Sequence, residues 1–182
     1  MKSAVDEARD RIAPHIRLTE CRFSKTLSDA TGAEVYLKLE NHQLSGSFKL
    51  RGVMNKILSL TSTERNRRLV AASTGNHGAA FAHAVGELGL DGLLFLPTNT
   101  TSIKLEAIEA SGIPFELVGD DCVVTETYAH ACAETNNDVW VSPYNDPAIV
   151  AGQGTIGPEL QMQVEGIEVV LIPVGGGGLA GG

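Results

Sequence analysis

The sequence has little of what disulfide-linked, zinc-binding or membrane-spanning proteins require. It contains three cysteines in 182 residues, an odd number without CxxC spacing, which argues against a disulfide framework and a zinc knuckle. Residues 1–17 are too charged for a signal peptide, and no run approaches the about 18 apolar residues of a membrane span. The net charge is −8, and the 14 basic residues form no tract that would neutralise phosphates in series. We therefore expect a cytoplasmic protein without a metal site, a nucleic-acid partner or a membrane partner.

What the sequence does contain is a regular alternation of short apolar segments and longer amphipathic ones. We predict strands over residues 69–72, 92–96, 115–118 and 139–141, and helices over residues 78–88, 102–110 and 121–134. Short strands separated by helices of about ten or more residues indicate parallel βαβ units with right-handed crossovers. The sequence therefore predicts an α/β fold.

The segments on either side of this alternation are less regular. Before it we predict helices over residues 3–13, 24–30 and 48–60 and a strand over residues 34–40. After it we predict a linker over residues 142–154, a helix over residues 155–164 and a buried parallel strand over residues 169–174. The glycines that follow are typical of a turn from a strand into a helix, but the sequence ends before such a helix. We therefore expect the fold to continue beyond residue 182.

Two cations stand at a predicted helix start in the motif SGSFKLRG, residues 45–52. They are Lys49 and Arg51, and each misplaced cation at a helix N-terminus costs about 0.3–1 kcal/mol. A nucleophilic lysine needs a neutral amine, which both the positive helix end and desolvation favour. Lys49 is therefore a candidate nucleophile, and the alternative is an ordinary surface lysine on an amphipathic helix.

A second candidate site is the motif ASTGNHG, residues 72–78, where a strand runs into a helix. The hydroxyls of Ser73 and Thr74 and the backbone of Gly75 precede a helix that begins at Asn76 or His77. Small donors and free amides at a helix N-terminus suit a carboxylate, and ligands bind at the carboxyl ends of parallel strands. The alternative is that Ser73 or Thr74 only caps the helix.

A third candidate is the glycine run at residues 175–178, which follows an apolar segment. Consecutive glycines expose backbone N–H groups that suit a phosphate dianion. The alternative is a flexible glycine-rich terminus. The run lacks the βαβ context of a dinucleotide fingerprint, and the pattern GxxxxGK[ST] does not occur, so neither a dinucleotide nor a nucleoside triphosphate site is supported.

Four motifs together resemble a known family in their order and spacing. They are KLENHQLSGSFKLRG, ASTGNHG, SPYNDPAIVAGQGTIGPEL and VLIPVGGGGLAG. They are similar to those of the fold-type II pyridoxal-phosphate enzymes, specifically the serine/threonine dehydratase and serine racemase group. The resemblance implies a two-domain parallel-sheet fold of the tryptophan synthase beta-like type and a homodimer. It assigns residues 1–50 and 144–182 to a large cofactor-binding domain, incomplete at its C-terminus, and residues 51–143 to a small substrate-binding domain.

The resemblance also implies roles for the candidate residues. Lys49 would form the Schiff base with pyridoxal 5′-phosphate, Phe48 would pack beside the cofactor ring, and Asn76 would hydrogen-bond the ring's 3-oxygen. The residues implied to hold the phosphate are Gly175, Gly176, Gly177, Gly178 and Leu179. The residues implied to receive the carboxylate of an amino acid substrate are Ser73, Thr74, Gly75, Asn76 and His77.

The reaction that the resemblance implies is elimination of the β-hydroxyl of serine, threonine or a similar amino acid, giving a 2-oxo acid and ammonia. Lys49 would remove the Cα proton. In serine racemases a serine matches Thr74 and acts as a second base; the added methyl of threonine restricts the rotamer, which favours elimination over racemisation. Serine racemase therefore stays open as one alternative, and a truncated, non-catalytic fragment stays open as another.

Overall fold

A computed structural model describes residues 2–182 and has an α/β fold with two sheets. The strands are β1 (Cys21–Phe23), β2 (Tyr36–Lys38), β3 (Leu69–Ala72), β4 (Gly92–Leu96), β5 (Phe115–Leu117) and β6 (Val139–Trp140). The helices are α1 (Lys2–Ile12), α2 (Lys25–Thr31), α3 (Lys49–Ser59), α4 (Ser62–Arg65), α5 (Asn76–Leu88), α6 (Ser102–Ser111), α7 (Cys122–Asn136), α8 (Pro147–Gly154) and α9 (Ile156–Gln163). Single 3₁₀ turns cover Ala13–His15 and Glu40–His42.

The larger sheet confirms the predicted alternation of strands and helices. Its strand order is β5-β4-β3-β6. All three pairings are parallel, and Leu69 lies opposite both Gly92 and Val139. Helices α5 and α6 end at the predicted glycines, since Gly89 and Gly112 follow them in the left-handed conformation; α7 runs to Asn136, two residues beyond the predicted end.

Alternation of side chains along the central strands creates an apolar cluster on each face of this sheet. On one face Leu94 of β4 packs with Phe81 of α5 and with the buried side of α3. On the other face Phe95 of β4 packs against α7. Full burial of a side chain of this size contributes about 1.5–3 kcal/mol, so both faces stabilise the sheet whose ends carry the candidate loops.

Helix α3 packs closely against α8, and two glycines allow this approach. A Cβ at Gly152 of α8 would lie 2.5 Å from the backbone oxygen of Arg51, and one at Gly52 of α3 would lie 2.4 Å from Nε2 of Gln153. Neither position has room for a side chain. The backbone of α3 just after Lys49 is therefore held directly on α8.

Substitution of Gly152 by alanine should lower the free energy of unfolding by about 1–3 kcal/mol, since the new methyl meets backbone atoms that have no room to move. Gly86→Ala in α5 is the matched control, because a Cβ there meets nothing within 4 Å. That variant should gain stability by about 0.5–1 kcal/mol. Denaturant unfolding measures both changes, and equal stabilities of the two variants would contradict the packing argument.

The predicted linker over residues 142–154 is wrong in its second half, which forms α8. The Asp146 carboxylate accepts hydrogen bonds from the backbone N–H groups of Ala148 at 2.7 Å and Ile149 at 3.3 Å, and Pro147 occupies the first helical turn. Such a start is a known signal for a helix. Of the two glycines that suggested a linker, Gly152 is instead required for packing against α3, and Gly154 lies against Gly182 and Val5.

The prediction of a buried strand over residues 169–174 is also wrong for the described chain, residues 2–182. This segment pairs with no strand among the described residues, and its apolar side chains are exposed, with Leu171 at 92%. A strand needs a neighbouring backbone, which an apolar run by itself does not supply.

Conversely, β1 was not predicted; it pairs antiparallel with β2, which is shorter than the strand predicted over residues 34–40. No helix found between residues 2 and 182 has the length and apolar character that crossing a membrane requires.

Candidate active site

Lys49 begins α3, and its amine is half buried beside a backbone carbonyl. Its Nζ donates a hydrogen bond to the carbonyl oxygen of Pro143 at 2.6 Å and lies 5.6 Å from the centre of the Phe48 ring. Within the described chain, Lys49 forms no ion pair. Burial lowers the pKa of Lys49, and the negative charge of Glu126 opposes that effect only in part. The environment therefore favours the neutral amine that a nucleophile or base requires.

Arg51, the second cation of the motif, is fully buried in a network of charges. Its guanidinium donates to both carboxylate oxygens of Glu40, each at 2.8 Å, and to those of Glu159 at 2.7 and 2.9 Å. Burial alone would lower the pKa of Arg51, but the hydrogen bonds and charges of the two glutamates outweigh it and raise that pKa above its usual value. Lys38 also donates to Glu159, so two cations balance two carboxylates. The network fixes the first turn of α3.

The loop over residues 73–77 connects β3 to α5 without a side-chain cap in the described structure. The N-cap position is Gly75, and the Ser73 hydroxyl accepts a hydrogen bond from the Gly75 N–H at 3.1 Å. A Cβ at Gly78 would lie 2.3 Å from the backbone oxygen of Ser73, so the turn needs glycine there. The N-terminal amides of α5 are thus left to a ligand or to water, which favours the anion-binding interpretation over simple capping. The Thr74 hydroxyl lies 3.5 Å from the amine of Lys104.

His77 is buried, and its ring is turned toward the end of the sheet. Its Nε2 donates to the carbonyl oxygen of Val141 at 3.0 Å, which places the proton on Nε2. Burial, together with the positive charge of Lys49, lowers the pKa of His77 to about 4, although the bond to Val141 opposes this. The imidazole is therefore neutral at pH 7, and because Nδ1 then carries no proton, only the backbone N–H of His77 can donate to a carboxylate.

The glycine turn lies against Tyr144. A Cβ at Gly176 would lie 2.4 Å from Cγ of Tyr144, and one at Gly178 would lie 3.0 Å from its backbone oxygen. Gly177 has a φ of 82°, which glycine adopts without strain. Gly175 is exposed and Leu179 half buried. Pro143 binds the Lys49 amine, and the next residue, Tyr144, contacts the glycine turn. Two consecutive residues therefore connect the amine and the turn.

All three candidate sites therefore contact the segment over residues 141–144. Val141 binds His77, Pro143 binds Lys49, and Tyr144 supports the glycine turn. Residues 142–144 lie within one of the four family motifs, and Val141 ends a predicted strand, but no functional role was predicted for any of them. Glu126 was also missed; the Tyr144 phenol donates to its carboxylate at 3.3 Å, and the charge of Glu126 raises the pKa of Tyr144. No periodicity in the sequence indicates contacts of this kind.

The residues present fit pyridoxal phosphate. A phosphate needs consecutive free N–H groups, an aldehyde needs a neutral amine, and both are held at the same segment. In the part of the chain that the structure describes, two buried polar atoms of the motifs have no hydrogen-bond partner, Oγ of Ser45 and Nδ1 of His77. Each such atom costs about 1–3 kcal/mol unless it finds a partner, and a ligand would supply one.

The fold and the site together define an α/β protein that presents a lysine amine near two turns whose backbone N–H groups suit an anion. The sequence profile of the family described as "Pyridoxal-phosphate dependent enzyme" matches residues 12–182, and the chain belongs to that family. The predicted resemblance and the predicted α/β fold class are thereby confirmed. The division into two domains stays a prediction.

Relatives and solved structures give the same result. The chain is 40% identical over 180 residues to an L-threonine ammonia-lyase of Thermotoga maritima, covering 98% of the chain and 44% of that protein. It is 39% identical to a catabolic L-threonine dehydratase of Staphylococcus aureus, covering 98% of the chain and 52% of that protein. The chain thus spans about half the length of the curated relatives it matches.

Two solved structures are similar in fold. The processed form of threonine deaminase isoform 2 from Solanum lycopersicum has a TM-score of 0.93 at 34% identity, with 99% of this chain and 50% of that one covered. Maize serine racemase has a TM-score of 0.92 at 30% identity, with 98% and 54% covered. Similarity of fold therefore does not separate the dehydratase from the racemase.

Proposed function

We propose that the protein carrying this chain is a pyridoxal-phosphate-dependent ammonia-lyase that eliminates the β-hydroxyl of L-threonine or L-serine, giving a 2-oxo acid and ammonia. The observation that carries the proposal is the half-buried Lys49 amine, held on Pro143 beside the glycine turn. The names of the relatives at 39–40% identity support this reaction over others in the family.

Each group of the site has a proposed task. The N–H groups at 175–178 bind the phosphate, with Leu179 alongside, and the N–H groups and hydroxyls at 73–77 orient the substrate carboxylate. Phe48 packs beside the ring, and Asn76 donates to its 3-oxygen. When bound, pyridoxal phosphate supplies a conjugated ring that accepts the electrons left when the Cα proton is removed. Lys49, whose pKa is lowered, holds that proton on Nζ.

Serine racemase remains a second candidate because of the structural similarity to maize serine racemase. A racemase needs a base on each face of the cofactor, and the resemblance to serine racemases makes Thr74 the candidate for the second one. Its β-branched side chain restricts the rotamers of the hydroxyl. Thr74 also has Lys104 next to it, and this cation favours a carboxylate ligand at the loop. Both features fit substrate binding better than proton transfer, so we place racemisation second.

A substrate panel on the full-length protein tests the proposal. With L-threonine we expect 2-oxobutanoate and ammonia in equal amounts; L-serine and 3-hydroxyaspartate are assayed alongside, and D-serine is followed in wild type and Thr74→Ala. A protein that binds the cofactor but deaminates none of the three would contradict the lyase. D-serine formation that exceeds deamination and is lost in Thr74→Ala would favour the racemase. Failure to bind the cofactor would favour the non-catalytic alternative.

We further propose that the protein is a cytoplasmic homodimer. The family resemblance supports the dimer. The three cysteines, Cys21, Cys122 and Cys132, are all free thiols, which is compatible with a reducing compartment.

A further inference from the structure

Two consecutive residues, Pro143 and Tyr144, connect the Lys49 amine to the Glu126 carboxylate. Lys49 of α3 donates to the carbonyl oxygen of Pro143 at 2.6 Å, and the next residue, Tyr144, donates its phenol proton to Glu126 of α7 at 3.3 Å. Gly176 lies directly against the Tyr144 ring, with no room for a side chain between them. The phenol thus holds the Glu126 carboxylate in a set position relative to the amine.

Other charged groups near the amine are neutralised or neutral. Arg51, on the same helix, is paired with two glutamates. His77 of α5 is neutral at pH 7 because burial lowers its pKa to about 4. The carboxylate of Asp146, before α8, lies 2.7 Å from the amine of Lys56, which balances its charge. The charge of Glu126 is the one that opposes the effect of burial on the pKa of Lys49.

We propose that Glu126 and Tyr144 are a positioning pair that sets how readily the Lys49 amine gives up its proton. The carboxylate stabilises the ammonium form, and the phenol limits that stabilisation by holding the carboxylate through a hydrogen bond. This inference rests on the proposed function, since it concerns the amine that reacts with the cofactor.

The two members of the pair have opposite effects on the amine. Glu126→Gln removes a negative charge, so the pKa of Lys49 falls further and more of the amine is neutral at pH 7. Tyr144→Phe removes the phenol donor but keeps the charge, and the freed carboxylate turns toward the ammonium and stabilises it. Glu126→Gln keeps an oxygen that accepts from the Tyr144 phenol, so it removes the charge and keeps an acceptor, whereas Tyr144→Phe breaks the hydrogen bond and keeps the charge. A bond with only a structural role would therefore leave Lys49 unchanged in Glu126→Gln.

The reaction of Lys49 with pyridoxal 5′-phosphate measures this directly, without catalytic turnover. A bond forms between Nζ and the aldehyde carbon while water and the ammonium proton leave. The full-length apoprotein is mixed with pyridoxal 5′-phosphate between pH 6 and 10, the adduct is trapped with borohydride, and Lys49 labelling is measured by peptide mass spectrometry. Wild-type labelling should rise with pH as the neutral amine accumulates.

We expect Glu126→Gln to label about threefold faster than wild type at pH 7, with its pH profile moved to lower pH, because a lower pKa of Lys49 leaves more of the amine neutral. Tyr144→Phe should label about twofold slower, with its profile moved to higher pH. Glu134→Gln, at the exposed end of the same helix, makes the same charge change away from Lys49 and should match wild type.

Each conservative variant has its own expected direction, so either one suffices if the other does not fold. Equal slowing in both variants, or profiles that match wild type, would overturn the inference and leave the proposed function standing. Absence of Lys49 labelling in the wild type would overturn both.

Discussion

Replacement of Lys49 by alanine should abolish covalent attachment of pyridoxal phosphate and slow deamination of L-threonine by on the order of 10²–10⁴-fold, the usual contribution of a positioned acid–base group. The reason lies in the geometry of the site. The Lys49 amine is held on Pro143 next to the glycine turn, and burial lowers its pKa. Loss of the visible absorbance of the bound cofactor and loss of kcat measure the two effects separately.

Two further variants separate chemistry from folding. Lys49→Arg keeps a positive donor for the Pro143 carbonyl, but a guanidinium stays protonated at any accessible pH and cannot act as a nucleophile. It should therefore be as inactive as Lys49→Ala while remaining folded. Lys25→Ala removes an exposed lysine whose partner is Asp29 and should leave both absorbance and kcat unchanged. An active Lys49→Arg would show that another group performs the proton transfer.

The parallel sheet was predictable because its signals are local. The strands β3, β4 and β6 are short apolar runs, β5 is apolar except for Glu116, and left-handed glycines mark the ends of α5 and α6. Such patterns repeat with the period of the element and need no knowledge of distant residues. The same local reasoning failed for residues 169–174, since an apolar run does not show whether another strand is beside it.

The candidate site was predictable in part for the same reason. Lys49, the loop at 73–77 and the glycine turn are each recognisable from a few adjacent residues, and the structure brings them together. The groups that unite them are not recognisable in that way. Tyr144 meets Glu126 from 18 residues away, and Arg51 meets Glu159 from 108 residues away. Only folding makes these pairs neighbours.

The two cations at the start of α3 show how one pattern can have two physical explanations. By helix electrostatics alone both are unfavourable. In the structure Arg51 is compensated by carboxylates of Glu40 and Glu159, whereas Lys49 has only a neutral carbonyl as hydrogen-bond partner in the described residues. The helix end therefore keeps a fixed positive charge at Arg51 and a removable one at Lys49.

Replacement of Arg51 by methionine should lower the free energy of unfolding by about 3–5 kcal/mol, the usual cost of breaking a buried ion pair from one side. Methionine fills similar space but leaves the Glu40 and Glu159 carboxylates facing each other, with Lys38 as the remaining cation. Denaturant unfolding of the full-length protein measures the loss. Because the network fixes the first turn of α3, Lys49 labelling by pyridoxal phosphate should also slow in the folded fraction.

Arg22→Met is the matched control for this prediction. It breaks the ion pair between Arg22 and Glu20, whose side chains are 59% and 54% exposed, respectively. Exposed pairs contribute about 0–1 kcal/mol to stability. A second test replaces Glu40 by glutamine in the Arg51→Met background, where removal of the carboxylate that has lost its cation should restore part of the lost stability. If Arg51→Met proved no less stable than Arg22→Met, burial of the network would not be what holds α3 in place. In that case the lysine would owe its position to the packing of Gly52 on α8 alone.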